Sequence, residues 1–378
     1  MRRILILIII YVGFVSLGLP DSILGVAWAD MRHFFSQPIS SAGILVLITT
    51  LVTAFSSFLS GHIIHRVGTG VILTVSSFLT ASALLGYALS PYWLYLLFFS
   101  LPLGLGAGAI DSALNHYVAM NYSSRHMNWL HGFWGVGATL GPIIMTWAIA
   151  ANKGWQSGYI TISIIQFILA FVFLFTLKQW ENGEHHLTVA KPQFVNVLND
   201  PKAWLSVLMF FFYTGVEVSI GLWAFSLFVE YQGIAKETAG IWVAMYWGAL
   251  TLGRFLTGIL ANSFSNRFFV NLGLAGALVG VAMISFSTHI TSFLGLVITG
   301  FSLAPLYPSM MHETPNRFDK DKTSVLIGYQ VGAASVGIAI LPALIGLVAA
   351  YTTLEILPFV LLGFLITMII MNYLLNRI

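Results

Sequence analysis

"ILILIIIYVGFVSLGLPDSILGVAWAD", residues 4–30, is an almost unbroken apolar run in which one acid, Asp21, stands beside Pro20 far from either end. It exceeds the about 20 residues that carry a helix across a ~30 Å hydrocarbon core. It also runs well past the roughly 7 to 15 apolar residues of a cleavable signal peptide and has no small-residue cleavage site, so it is expected to persist as a first membrane span. The rest of the chain repeats the pattern. Of its 378 residues 58% are hydrophobic and only 8% charged, where a soluble domain carries about 25% charged residues. Such a chain cannot cover itself for water, and its mean hydropathy of +0.89 agrees.

Apolar runs are read at 4–30, 39–63, 70–89, 92–120, 127–150 and 156–178, then at 203–230, 237–261, 268–286, 290–311, 323–349 and 355–375. The fold class expected is therefore all-α integral membrane, with twelve transmembrane helices. Between the sixth and seventh runs lies the longest polar stretch, "LKQWENGEHHLTVAKPQFVNVLNDPK" (177–202), too short for a further domain. The expected division is a six-helix bundle over 1–179, a cytoplasmic linker over 180–202 and a second bundle over 203–378.

Positive residues near span ends are retained on the cytoplasmic side. With the N-terminus inside, Arg2, Arg3, Arg66, Arg125, Lys178, Lys191, Lys202, Arg267, Arg317, Lys320, Lys322 and Arg377 fall inside, against Arg32, Lys153 and Lys236 outside. Both termini are thus expected in the cytoplasm, with the chain multi-pass in the cell membrane. The same bias accounts for the net charge of +3 without nucleic acid, since no basic segment is interleaved with aromatics. The lack of cysteine excludes disulfides and thiolate metal sites. His62 with His65, and Glu184 with His185 and His186, lack a third ligand in a helical setting, so no metal is expected. No phosphate-binding glycine loop and no catalytic set are present, so the chain is read as neither a primary pump nor an enzyme, and without a cofactor.

The two halves echo each other. "DSILG" (21–25) and "EVSIG" (217–221) each place an acid four residues before a glycine, Gly61 in "FLSGHI" corresponds to Gly258 in "FLTGIL", and Pro142 to Pro342. Parallel repeats of this kind bind substrate near the midplane at their interface. On "GLPDSILGVAW", "SGHIIHRVGTG", "NWLHGFWGVGATLGP", "GVEVSIGLW", "YWGALTLGRFLTG" and "SLAPLYPS" the chain resembles the major facilitator superfamily over its whole length, and within it the fucose permease-like branch of sugar and proton symporters. The resemblance implies a functional monomer of two pseudo-symmetric six-helix bundles. It also implies functional acids in the first and fourth helices, here Asp21 and Asp111. The loop after the second helix resembles the superfamily's signature loop, with Gly61, Arg66 and Gly68 in gating positions and His65 at the usual acidic one. "GVGATLGP" also resembles the antiporter motif of drug exporters, so an efflux pump stays open, as does a sensor that kept the fold.

An ionised group at the bilayer centre costs at least ~2.5 kcal/mol, so an intramembrane charge faces a cavity or a partner. Asp21, Asp111, Glu217 and Arg254 are the candidates. At a rise of 1.5 Å per residue Asp21 lies ~25 Å from the cytoplasmic end of its helix, Glu217 ~20 Å and Asp111 ~15 Å, a stagger suited to a proton path. An acid whose hydration changes during alternating access can take up and release a proton, so all three are read as proton-coupling groups, with Asp21 leading. Pro20 removes one backbone donor and lets the helix bend there. Asp111 and Asn115 share a helix face, so a static polar contact between them is the other reading. Arg254 either pairs with an acid across the domain interface or snorkels to the surface. Pro142, with Gly135, Gly137 and Gly141, and Pro305 with Pro308, would allow close packing and bending.

Sugar rings offer apolar faces that stack on aromatics and hydroxyls that need directional partners. Phe133, Trp134, Tyr213, Trp223, Trp247, Tyr307 and Tyr329 lie where the resemblance points side chains to the cavity. Asn115, Asn128, His131 and Gln330 would supply polar contacts. Apart from Arg254 no Lys or Arg lies deep in a span, which disfavours a multiply anionic substrate. The expected substrate is a neutral sugar or polyol, coupled to a proton or a sodium ion.

Overall fold

A computed structural model describes residues 2–122, 124–180, 199–261, 263–286 and 288–377. Among the described residues twelve helices are long and apolar enough to cross a membrane. They are α1 (Arg2–Phe34), α2 (Ser41–Val67), α3 (Thr69–Leu89), α4 (Trp93–Asn121), α5 (Ser124–Ala150) and α6 (Gly154–Phe175) in the first half. The second half holds α7 (Pro201–Ser226), α8 (Lys236–Leu260), α9 (Asn266–Ser285), α10 in two pieces (His289–Leu303 and Leu306–Arg317), α11 (Lys320–Tyr351) and α12 (Leu357–Arg377). No strand occurs among the described residues.

Local chemistry sets the ends. Asp200 accepts from the Lys202 N–H (2.9 Å) with Pro201 at the first helical position, and Ser265 and Thr288 cap α9 and α10 in the same way. Gly68 takes φ 83° between α2 and α3, a conformation open to glycine and costly to residues with a Cβ. The break in α10 falls at Ala304–Pro305, where proline cannot continue the hydrogen-bond ladder. Leu94, Phe175 and Ile290, all more than 70% exposed and away from any cavity wall, show that the outer helix faces need no water. Several helices overrun the sequence reading, α10 to Arg317 and α11 back to Lys320, because a helix need not stop at the bilayer surface.

The pairing repeats between halves. In the first, α1 packs on α5, α2 on α4 and α3 on α6; in the second, α7 packs on α11, α8 on α10 and α9 on α12. Two pseudo-symmetric six-helix bundles result, and they meet along α1 with α7, α2 with α11 and α5 with α8. The glycines singled out by the internal repeat meet there: a methyl group on Gly25 would run into the Gly221 carbonyl and lie 3.0 Å from the Leu222 Cα. Only glycine permits that approach of α1 to α7. Trp180, where the linker was expected to start, is buried against Tyr117 and Phe173, so the first bundle holds the chain to that point. The remainder of the linker up to residue 198, with Glu184, His185 and His186, lies outside the described residues.

Candidate transport cavity

A cavity of about 1690 Å³ lies between the halves. Its deepest walls carry Asp21, Leu24, Leu45, Tyr87 and Tyr159, and it runs to Phe58, Ala261, Asn266 and His312 near the end that carries the chain termini. The opposite end is shut. There α2 meets α11 at Gly43 and Ala343, and α5 meets α8 where Thr146 packs over Gly240. Two ion pairs also cross between the halves at that end: Arg32 of α1 with Glu230, in the π-helical turn Leu227–Tyr231 that prolongs α7, and Asp30 of α1 with Lys236 at the start of α8. Arg32 and Lys236, both expected on the outer side, thus have acidic partners there.

Asp21 is exposed into the cavity, one turn from the Gly25 contact, and its Oδ2 accepts the Trp134 indole N–H at 2.8 Å. The face of that indole lies under the Arg254 guanidinium, 5.6 Å from the ring centroid, and its edge meets Trp247 at 5.9 Å. Arg254 donates to Glu217 Oε2 at 3.1 Å and to the Tyr213 hydroxyl at 3.4 Å. Tyr213 donates in turn to Glu217, and Tyr246 donates to the Glu217 backbone carbonyl at 2.9 Å. A continuous set of contacts thus runs from the acid of α1, through α5, to the cation of α8 and the acid of α7. Arg254 neither pairs across the domain interface nor snorkels: its acid is Glu217, within its own half. Buried ions persist when paired and fully hydrogen-bonded, which this set provides.

Asp111 lines the cavity and accepts from Asn115 Nδ2 at 3.0 Å on its own helix. Asn115 also donates to the Asp111 carbonyl and does not line the cavity, so it is committed to its neighbour. His131 faces the cavity and meets Phe14 edge-on at 5.8 Å. Phe133, Trp134, Tyr213, Trp247 and Tyr307 also line it.

Besides Asn115, three residues expected there stand elsewhere. Trp223 is fully buried, its indole N–H bound to the Pro342 carbonyl at 3.0 Å. Gln330 is buried too, donating to Ser206 Oγ at 2.7 Å and to Thr314 Oγ1 at 3.0 Å. Tyr329 is exposed and not among the lining residues; Val331, Gly332 and Ser335 hold the cavity face of α11 instead. The Asn128 side chain, and those of Gly61 and His65, lie outside what is described. Arg66 is exposed at the end of α2, while Pro142 is buried within α5. No group of three or more metal-ligating side chains occurs among the described residues.

Two like six-helix bundles around a central cavity closed at one end define a class of polytopic membrane proteins. The profile of the Major Facilitator Superfamily matches residues 10–342 and 205–377, and the chain belongs to that family. It is 24% identical over 387 residues to Bypass of stop codon protein 6 of Saccharomyces cerevisiae, covering 91% of this chain and 77% of that one. It is 24% identical over 312 residues to the glucose/mannose transporter GlcP of Bacillus subtilis, covering 77% and 76%. Its fold superimposes on the crystal structure of a D-xylose-proton symporter with a TM-score of 0.79 at 14% identity, over 98% and 97% of the two chains.

Proposed function

We propose that this protein is a proton-coupled symporter that imports a neutral sugar or related polyol by alternating access. One observation carries the reading: the cavity pairs stacking surfaces with an acid facing its interior, while Arg254, the single Lys or Arg among the described lining residues, is already neutralised by Glu217. A site without free positive charge suits a neutral ligand with an apolar ring face and many hydroxyls. Glucose and mannose are what the Bacillus relative is named for transporting, and a D-xylose-proton symporter shares the fold.

In this reading the chain sits in the cell membrane as a functional monomer with both termini cytoplasmic. The shut end faces outward and the cavity opens inward, so the arrangement is the one that releases substrate. Segments 1–179 and 203–378 rock about α1 with α7, α2 with α11 and α5 with α8. Gly61, Arg66, Gly68 and Pro142 act in gating. Asp21 carries the coupling proton, with Asp111 and Glu217 further along the path and His131 contacting the sugar with Trp247 and Tyr213. Labelled neutral sugars offered to proteoliposomes with an imposed inward proton gradient test this. Saturable uptake with internal acidification is the expected result; uptake of none of the sugars, or uptake indifferent to the gradient, overturns it.

A further inference from the structure

Trp134 resembles a sugar-stacking residue in the sequence, but its ring is already engaged. The indole N–H is spent on Asp21 Oδ2, 113 positions away on α1, one face is occupied by Arg254 and the edge meets Trp247. An indole has one donor and no acceptor, so it can serve a carboxylate but cannot also bond a sugar hydroxyl through nitrogen. Trp134 is also the side chain that touches both the acid of the first half and the cation of the second.

We infer that Trp134 is a positioning residue that couples the state of Asp21 in the first half to the Arg254–Glu217 pair in the second. The inference rests on the symport reading for its biological sense. The indole N–H bond to an ionised carboxylate is charge-assisted, and that to a neutral carboxyl is weaker. While Asp21 is ionised the indole is held toward α1 and its face stays under Arg254, which ties α1, α5 and α8 into the arrangement described, shut at the end away from the termini. A proton taken up from water onto Asp21 Oδ2 displaces the indole from that oxygen and loosens that closure; when the proton returns to water the indole bond re-forms. Nothing else in the bridge gains or loses a proton. The titratable and charged groups that line the cavity with Asp21 are Asp111 of α4, His131 of α5, Tyr213 and Glu217 of α7, Arg254 of α8, Tyr307 and His312 of α10, and Tyr87 and Tyr159 of α3 and α6.

The test needs no substrate. The chain has no cysteine, and Thr146, 7% exposed over Gly240 at the shut end, has a hydroxyl with no partner among the described residues, so Thr146→Cys removes no hydrogen bond. Its reaction with a membrane-impermeant maleimide reports opening of that end. With Trp134 intact the labelling rate, divided by that of a fully exposed control cysteine to remove the loss of thiolate at low pH, is expected to rise several-fold as pH falls from about 8 to about 5.5. Trp134→Phe, which keeps an aromatic face but removes the N–H, abolishes that dependence, as does Asp21→Asn, and the double variant behaves like either single one. Asp111→Asn and His131→Gln leave it in place. A pH response that survives Trp134→Phe overturns the inference, as does one that disappears only with Asp111 or His131. Where sugar flux can be followed, Trp134→Phe is expected to lose gradient-driven accumulation while counterflow KM changes less than about threefold. A KM raised more than tenfold with accumulation intact would make Trp134 a stacking residue instead. Failure of every sugar to move would end the sugar reading while leaving the labelling result standing.

Discussion

Removing the two ion pairs that close the far end should open it by an amount the structure lets one work out. Arg32 meets Glu230 through two nitrogens, Nε lying 3.1 Å from Oε1, with side chains only 21% and 15% exposed. Such charged hydrogen bonds contribute about 1.5 to 3 kcal/mol when largely shielded. Lys236 and Asp30 are more exposed, at 42% and 26%, and count for less, about 0.2 to 1 kcal/mol. Part of each contribution returns as hydration when the end opens, so about 2 kcal/mol is a fair total for the pairs. At 1.4 kcal/mol per tenfold, the open population should rise ~30-fold in Arg32→Gln with Lys236→Gln. The assay is the rate of maleimide reaction at Thr146→Cys. Arg32→Gln alone should give most of the effect and Lys236→Gln alone a few-fold. Exchanging Asp30 and Lys236 by the paired substitution Asp30→Lys with Lys236→Asp should return the rate toward wild type. A rate unchanged by all four substitutions, or equally raised by the charge exchange, would refute the view that these pairs hold the end shut.

Three further outcomes follow from the packing. Arg254→Met leaves Glu217 charged and buried without its cation and should cost ~3 to 5 kcal/mol, while adding Glu217→Gln recovers much of it; thermal unfolding in detergent measures both. Gly25→Val overpacks α1 against Gly221 and Leu222, expected to cost about 1 to 3 kcal/mol and to abolish flux while the protein still reaches the membrane, as read by expression and counterflow together. Trp223→Phe gives up the bond to the Pro342 carbonyl for about 1 kcal/mol of stability, yet KM should stay within about twofold, because Trp223 stands outside the cavity.

The span count and the doubling of the fold were readable because both rest on short-range features: apolar length, proline and glycine punctuation, and charge at the span ends. Asp21 was readable for the same reason, a charge inside an apolar run. The contacts of the cavity were not, because a helix apolar on every face carries no stripe that tells which side is turned inward. Tyr329 and Gln330 illustrate this. Consecutive helical residues point about 100° apart, so which of them meets the cavity depends on the rotation of the helix in the packed bundle, and here neither does; the register of α11 gives that face to Val331, Gly332 and Ser335. Trp223 failed likewise, four residues beyond Ser219 on the packed side of α7. The pairing of Arg254 with Glu217, 37 positions apart, and the union of Trp134 with Asp21 depend on helix packing that no local pattern encodes. Charges at Asp30, Arg32, Glu230 and Lys236 offered a usable signal: two acids and two bases near outer helix ends, one acid and one base in each half.

The most direct test of the account is sugar movement by Asp21→Asn in proteoliposomes, followed both as counterflow at equal pH and as accumulation against an imposed proton gradient. The account predicts counterflow near the wild-type rate with accumulation lost, since a neutral amide keeps an acceptor for Trp134 but carries no proton. A variant that concentrates sugar as well as the wild type would contradict it.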